Sequence, residues 1–157
     1  AQRVRMSVQN ESEERSLRSK IDEFELATRE AGHDWAIFDI TDSFAVWLAS
    51  QRYAKSYFQN PNLLPTLLPK YLEFLVNQFA AFVQENHIGA NFVVAVMGVG
   101  SLFGLLKVKE VIEEMAPMVN GRLLVFFPGS YENNNYRLLD GYDGWNYLAV
   151  PITADKE

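Results

Sequence analysis

The sequence predicts an α/β protein, a three-layer sandwich in which a mostly parallel central sheet is flanked by helices. Residues 92–97 form a continuous apolar run, and residues 122–127 form another after the initial Arg122, which is typical of central parallel strands that helices cover on both faces. Segments with apolar residues at helical spacing separate these runs, and such alternation implies parallel strands joined by helical crossovers. The length of 157 residues fits a single domain over residues 1–157.

The amino-terminal part is predicted to hold two strands, each followed by a helix. Residues 3–8 alternate between polar and apolar side chains, as a half-buried edge strand does. The next helix carries one apolar stripe, and Gly32 ends it. Residues 35–38 form the second strand, and a short helix through Trp47 follows an acidic or hydroxyl cap.

The carboxyl-terminal part is predicted to alternate between helices and strands. Residues 53–69 contain prolines and are interpreted as a loop or a broken helix, and a regular helix follows over residues 70–86. The strand at 92–97 leads through a glycine turn into a helix over residues 105–119. After the strand at 122–127, residues 136–138 and 147–150 are predicted to be late strands or extended edges.

Composition and charge exclude several classes of function. The chain has no cysteine, so disulfides, zinc-thiolate sites and cysteine nucleophiles are impossible, and a reducing cytoplasm is the expected compartment. The net charge of −6 disfavours nucleic acid as the direct partner, because phosphate binding needs a basic surface. The longest apolar run, residues 92–99, is too short to span a membrane.

The turn Gly98-Val99-Gly100-Ser101 lies between a central strand and a helix, where backbone amides could hold an anion. The pattern departs from both common phosphate-binding signatures, since position 103 is Phe and no Lys-Ser or Lys-Thr pair follows Gly104. A tight turn with close packing is therefore the favoured interpretation. The enzymatic alternative is a magnesium-dependent nucleotide-binding or phosphoryl-transfer domain that uses Gly98 to Ser101 together with Asp39.

Four aspartates could converge as acidic metal ligands in that alternative: Asp39, Asp42, Asp140 and Asp143. The favoured interpretation is a helix cap for one of the first pair and turn positions for the Asp-Gly pairs at 140–141 and 143–144. Neither a metal site nor a cofactor is predicted. His87 lies at the predicted end of a helix, with Gly89 two residues later, and is interpreted as a C-terminal cap. No nucleophile pattern accompanies it.

Aromatic side chains cluster in the glycine- and asparagine-rich tail: Tyr131, Tyr136, Tyr142, Trp145 and Tyr147. Tyrosine and tryptophan anchor protein interfaces well, because they bury a large area at a small entropic cost. The same residues could instead cover the edge of a small sheet. The sequence leaves these two alternatives open.

The carboxyl half resembles the BrxB family, the small B component of BREX bacteriophage-exclusion systems. The resemblance is carried by an apolar strand with a Pro-Gly-x-Tyr turn at 122–131, by Tyr-Arg-Leu-Leu at 136–139, by Asn146-Tyr147, and by the Gly-Val-Gly turn within 96–101. It is strong from about residue 91 onward and loose before. Two departures stand out, namely that the family's additional N-terminal helical region is missing and that Leu-Ala-Val-Pro follows Tyr147.

The resemblance implies a bacterial cytoplasmic defence component without established catalysis, in an assembly with an alkaline-phosphatase-like Z component and a large ATPase component. The positions that match the family are structural turns: Gly98, Gly100, Pro128, Gly129 and Tyr131. We therefore expect a non-catalytic adaptor or scaffold, truncated or short at its N-terminus. Its first partner is expected to be the Z component, bound through an aromatic edge that draws on Tyr131, Tyr136, Trp145 and Tyr147.

Overall fold

A parallel sheet is the centre of the structure, a computed structural model that describes residues 18–52, 56, 59–128 and 147–152. In these residues the sheet consists of β1 (Asp34–Asp39), β2 (Phe92–Met97), β3 (Arg122–Pro128) and β4 (Tyr147–Ile152). The strands lie in the order β1-β2-β3-β4, and every neighbouring pair is parallel. The predicted α/β class with a parallel sheet is therefore confirmed, and the two continuous apolar runs form the inner strands.

The described helices are α1 (residues 18–30), α2 (Ser43–Ser50), α3 (Leu64–Glu85) and α4 (Val108–Met115). Short 3₁₀ turns lie at Pro61–Leu63, Val99–Leu102 and Ala116–Met118. Within the described part of the chain, no helix is both long and apolar enough to cross a membrane.

Helices pack on both faces of the sheet. Successive side chains of a strand point to opposite sides, and in the inner strands both sets are apolar, so both faces need to be covered. Val94 and Val96 of β2 are fully buried in the larger core cluster, to which α2, α3 and α4 contribute. Ala95 belongs to a smaller cluster on the other face. There, Phe24 of α1 meets Phe126 of β3 edge to face, with ring centroids 5.6 Å apart.

The strand order follows from where the crossovers lie. The β1–β2 connection contains α2 and α3, the β2–β3 connection contains α4, and all three helices pack into the same core cluster. Right-handed crossovers that stay on one face place each new strand beside the previous one. The predicted strands at residues 3–8 and 136–138 lie outside the described residues. The full three-layer arrangement and the single domain over residues 1–157 therefore stay predictions.

The predicted boundaries of two helices were wrong. Helix α3 begins at Leu64 and contains Pro69, although the prolines predict a loop or a broken helix as far as residue 69 and a regular helix only from residue 70. Pro65 lies in the first turn of α3, where proline is tolerated, whereas Pro69 lies in the second turn and removes one backbone donor. The buried side chains of Leu67 and Tyr71 hold this end of α3 against the core. Helix α4 covers Val108–Met115 in place of residues 105–119.

The start of α4 is set by the glycine that follows the 3₁₀ turn at Val99–Leu102. Gly104 has a φ of +80°, which is left-handed backbone. The amides of Leu105 and Leu106 both donate to the Leu102 carbonyl, at 2.9 Å each. These bonds close a turn that separates the two leucines from the helix proper.

The end of α3 has a left-handed residue that is not glycine. His87 has a φ of +53°, its amide donates to the Gln84 carbonyl at 3.3 Å, and the Ile88 amide donates to the Val83 carbonyl at 3.0 Å. This pair of bonds defines the Schellman motif, in which glycine is the usual left-handed residue. At the end of α1 the left-handed position is occupied by Gly32, with a φ of +83°.

Candidate functional site

The carboxyl ends of β1 and β2 meet at a polar edge of the sheet, where ligands bind in many parallel α/β proteins. The Ile40 amide donates to the Met97 carbonyl at 3.0 Å, so the segment that follows β1 is still hydrogen-bonded to the last residue of β2. Gly98 follows with a φ of +81°. A Cβ atom built at Gly98 would contact Thr41 Oγ1 and would lie 2.6 Å from the Thr41 amide nitrogen. The glycine therefore lets two backbone segments approach closely.

Asp39, the last residue of β1, is bonded to its own chain. Its Oδ1 atom accepts hydrogen bonds from the Thr41 amide at 3.0 Å and from the Thr41 hydroxyl at 2.6 Å. An aspartate that accepts a bond from the amide two residues later stabilises a turn. Asp39 thus fixes the connection from β1 to α2 through one of its two carboxylate oxygens.

Ser101 links the turn after β2 to the residue after β1. Its Oγ atom lies 2.7 Å from the Gly98 carbonyl oxygen and 3.1 Å from the Ile40 carbonyl oxygen, in donating geometry toward both. A hydroxyl has one proton to donate, so the two carbonyls share it. The serine that the sequence places in the glycine turn therefore points at backbone acceptors.

A buried tyrosine continues this network below the edge. The Ser43 hydroxyl donates to the Ile40 carbonyl at 2.8 Å and lies 2.5 Å from the Tyr71 hydroxyl. Because the Ser43 proton is already donated, Tyr71 is the donor to Ser43. Burial raises the pKa of Tyr71. Tyr71 therefore keeps its proton and anchors the start of α2 to α3.

A groove opens beside this network, between the end of β1 and the helices α2 and α3. Its volume is about 280 Å³ and its lining consists of Phe38, Asp39, Asp42, Ser43, Val46, Phe74, Leu75 and Gln78. We call it the acidic groove, because its charged residues are the two aspartates. Pockets for drug-sized ligands enclose roughly 300–1,000 Å³, so the acidic groove suits a single side chain better than a cofactor.

The structure brings some of the predicted site residues together. Asp39 and Gly98 are neighbours, since a Cβ atom at Gly98 would lie 2.9 Å from Asp39 Oδ1. Gly100 lies in the 3₁₀ turn after Gly98, Pro128 ends β3, and Tyr147 begins β4 opposite Leu123 of β3. The remaining candidates lie outside the described residues: Gly129, Tyr131, Tyr136, Asp140, Tyr142, Asp143 and Trp145.

Two of the four aspartates in the metal-ligand alternative lie in the described residues. Asp39 and Asp42 line the same groove. Among residues 18–52, 59–128 and 147–152, however, no three histidine, aspartate or glutamate side chains are grouped as metal ligands.

Sequence reasoning missed the apolar part of the acidic groove. Val46 lies off the stripe formed by Phe44 and Trp47, and Phe74 adjoins the core residue Leu75 and widens the apolar face of α3. An apolar residue beside an otherwise regular stripe is the signal that could have found both. The pairing of Ser43 with Tyr71, 28 residues apart in the chain, has no local sequence signal.

The comparisons with known proteins address the family. The sequence model of the family described as BREX protein BrxB matches residues 47–151, about two-thirds of the chain. The match spans α3, β2, the glycine turn, α4 and β3, together with the aromatic tail, and it begins after Asp39. Neither the comparison with curated proteins nor the one with solved structures gives a match. The chain belongs to the BrxB family, and it is therefore a component of a bacterial BREX phage-defence system.

Proposed function

We propose that this chain is a non-catalytic adaptor or scaffold of a BREX complex, and that it works in the cytoplasm as a single domain. The observation that carries the proposal is that polar groups at the carboxyl edge of the sheet are hydrogen-bonded to the chain's own turns. Asp39 bonds to Thr41, and Ser101 bonds to two backbone carbonyls. Groups that bind ligands in α/β enzymes are engaged here in holding the β1 and β2 connections together.

The partner we propose first is the alkaline-phosphatase-like Z component, with the ATPase component as a second partner. Membership of the BrxB family supports other BREX proteins as partners. The net charge of −6 supports a protein over nucleic acid, because a nucleic-acid surface needs cations against phosphate. Since aromatic anchors carry much of the binding energy at interfaces, the tail is the proposed contact.

A capture experiment tests the tail. The tagged chain, coexpressed with the Z component, is compared with a variant in which Tyr131, Tyr136, Trp145 and Tyr147 are replaced by alanine. We expect capture of the Z component to fall by at least tenfold. Phe103→Ala is the control, because Phe103 is a half-exposed aromatic residue outside the tail (53% exposed). Undiminished capture by the tail variant would remove the tail from the interface.

Thermal denaturation distinguishes the adaptor from the enzymatic alternative. A ligand of the folded state at 100 times its Kd stabilises that state by about 2.7 kcal/mol. For a chain of this size, each kcal/mol shifts Tm by roughly 2–4 °C, so bound Mg²⁺ and nucleotide would raise Tm by about 5–10 °C. We expect no rise with millimolar MgCl₂ and ATP. A rise that disappears in Asp39→Ala would refute the non-catalytic proposal.

A further inference from the structure

The acidic groove combines two carboxylates with an apolar surface. Asp39 and Asp42 line it with carboxylates, and Phe38 and Phe74 contribute apolar rings. Val46 also lines the groove, and 59% of its surface is exposed although its side chain is apolar. An exposed apolar surface next to charges of one sign is a feature of binding sites.

The carboxylates of the acidic groove are not neutralised by the described residues. Asp42 precedes α2 as its N-cap residue but makes no side-chain capping bond, and no described ion pair includes it. Within the described residues, Asp39 forms hydrogen bonds through Oδ1 alone, and both are with Thr41. The described lining contains no lysine, arginine or histidine. Two like charges without a counterion create a potential that attracts a cation.

The walls of the acidic groove are held in place by buried contacts. Tyr71 of α3 is hydrogen-bonded to Ser43 at the start of α2. On the β1 side, the ring of Phe38 packs against Phe79 and Phe82, with centroids 5.1 and 5.2 Å apart. A site whose walls are already ordered loses little conformational entropy when it binds.

We propose that the acidic groove binds an arginine or lysine side chain of a partner protein. The apolar stem of that side chain packs against Val46 and Phe74, and the cationic head pairs with Asp39 and Asp42. Long basic side chains bury their methylene stems on apolar surface while the charged head stays near water. Arginine fits better than lysine, because its guanidinium group is more weakly hydrated and can pair with a carboxylate through two bonds. The identity of the protein that supplies this side chain rests on the proposed adaptor function.

The chemistry of the groove can be tested without a partner. The full chain is labelled with ¹⁵N and titrated with N-acetyl-argininamide. We expect saturating shift changes in the amides of residues 42–46 and 74–78, and an affinity at least fivefold lower for Asp42→Asn. Asp22→Asn, which removes an exposed charge on α1, is the matched control and should bind like the wild type. Equal binding of uncharged N-acetyl-norleucinamide, or equal affinity in Asp42→Asn, would overturn the proposal.

A second experiment tests the groove within the assembly. Val46→Lys places a competing cation in the groove, and Leu26→Lys makes the same change at an equally exposed residue of α1, 60% exposed against 59% for Val46. We expect Val46→Lys to lower capture of coexpressed BREX proteins at least tenfold and Leu26→Lys to leave it unchanged. If Val46→Lys captures like the wild type, the groove is refuted as a docking surface and the adaptor proposal stands. If the wild type captures no BREX protein, the adaptor proposal fails. The argininamide titration then still tests whether the groove binds a cationic side chain.

Discussion

Replacing Gly98 by alanine tests the close approach between the turn after β2 and the turn after β1. The residue has a φ of +81°, and left-handed backbone costs a residue with a Cβ atom roughly 1–2 kcal/mol. The new Cβ atom would also lie 2.6 Å from the backbone nitrogen of Thr41, which cannot move without shifting the start of α2. Overpacking of this kind costs about 1–3 kcal/mol, so we expect a total loss of about 2–5 kcal/mol in the free energy of unfolding.

Other glycines of the same chain separate the two contributions. Gly104 has nearly the same φ, +80°, but a Cβ atom there has nothing within 4 Å. Gly104→Ala should therefore lose only the conformational part, about 1–2 kcal/mol. Gly121 gives the opposite case, because its φ lies outside the left-handed region while an added Cβ atom would contact the Phe92 carbonyl oxygen and lie 3.0 Å from the Phe92 carbonyl carbon. Gly121→Ala should lose the steric part alone, about 1–3 kcal/mol.

Urea unfolding followed by tryptophan fluorescence and far-UV circular dichroism measures these differences. Trp35 and Trp47 are both buried, so their emission reports on the two core clusters. The comparison requires equal m values, because a changed m value indicates a different unfolded or native ensemble. If Gly98→Ala and Gly104→Ala lose the same free energy within about 0.5 kcal/mol, Thr41 does not constrain Gly98 and the reasoning is refuted.

Three further predictions concern the core and the helix ends. His87→Gly should stabilise the protein by about 0.5–1 kcal/mol in urea unfolding, since relief of left-handed strain exceeds the added entropy of the unfolded chain, and a loss of stability would contradict the strain at φ +53°. Phe79→Ala should lose about 3–5 kcal/mol, because this ring of α3 is fully buried against Phe38 of β1, whereas a loss below 2 kcal/mol would place the ring outside the tight core. Tyr71→Phe should lose about 1 kcal/mol at neutral pH for one hydrogen bond. Because the folded pKa of Tyr71 is raised, its contribution is complete below pH 10 and declines as the unfolded tyrosine ionises above it. Wild-type stability should therefore fall more steeply above pH 10 than that of Tyr71→Phe, and parallel pH profiles would contradict the assignment.

The inner strands were predictable from local composition, and the helix boundaries were not. β2 and β3 are apolar at nearly every position, a pattern that is typical of a parallel strand covered on both faces. The early start of α3 depends on how Leu67 and Tyr71 pack, and this tertiary packing outweighs the helix-breaking tendency of Pro69. Strand order also depends on the face of the sheet on which each crossover helix packs. The hydrophobic periodicity of a single sequence does not show which face that is.

The candidate site was predictable as a place, though not as a set of contacts. Asp39 and Gly98 each follow a predicted parallel strand, so the sequence puts both at the carboxyl edge of the sheet. The hydrogen bond from Thr41 to Asp39 joins residues only two positions apart. It could not be predicted, because an aspartate that follows a strand has several possible hydrogen-bond partners. The acidic groove requires α2 to lie against α3, and that packing depends on side chains far apart in the chain.

The sequential order of the strands has a consequence for how the protein is made. Each strand from β2 to β4 joins the edge that the preceding strand has just created, so the described sheet grows in the same direction as synthesis. Chains emerge from the ribosome at about 5–20 residues per second, slowly compared with the docking of a single strand and helix. Among the described strands, β2, β3 and β4 therefore each find a neighbouring strand already present when they emerge, and β1 alone has to wait for a partner, β2, that is synthesised later.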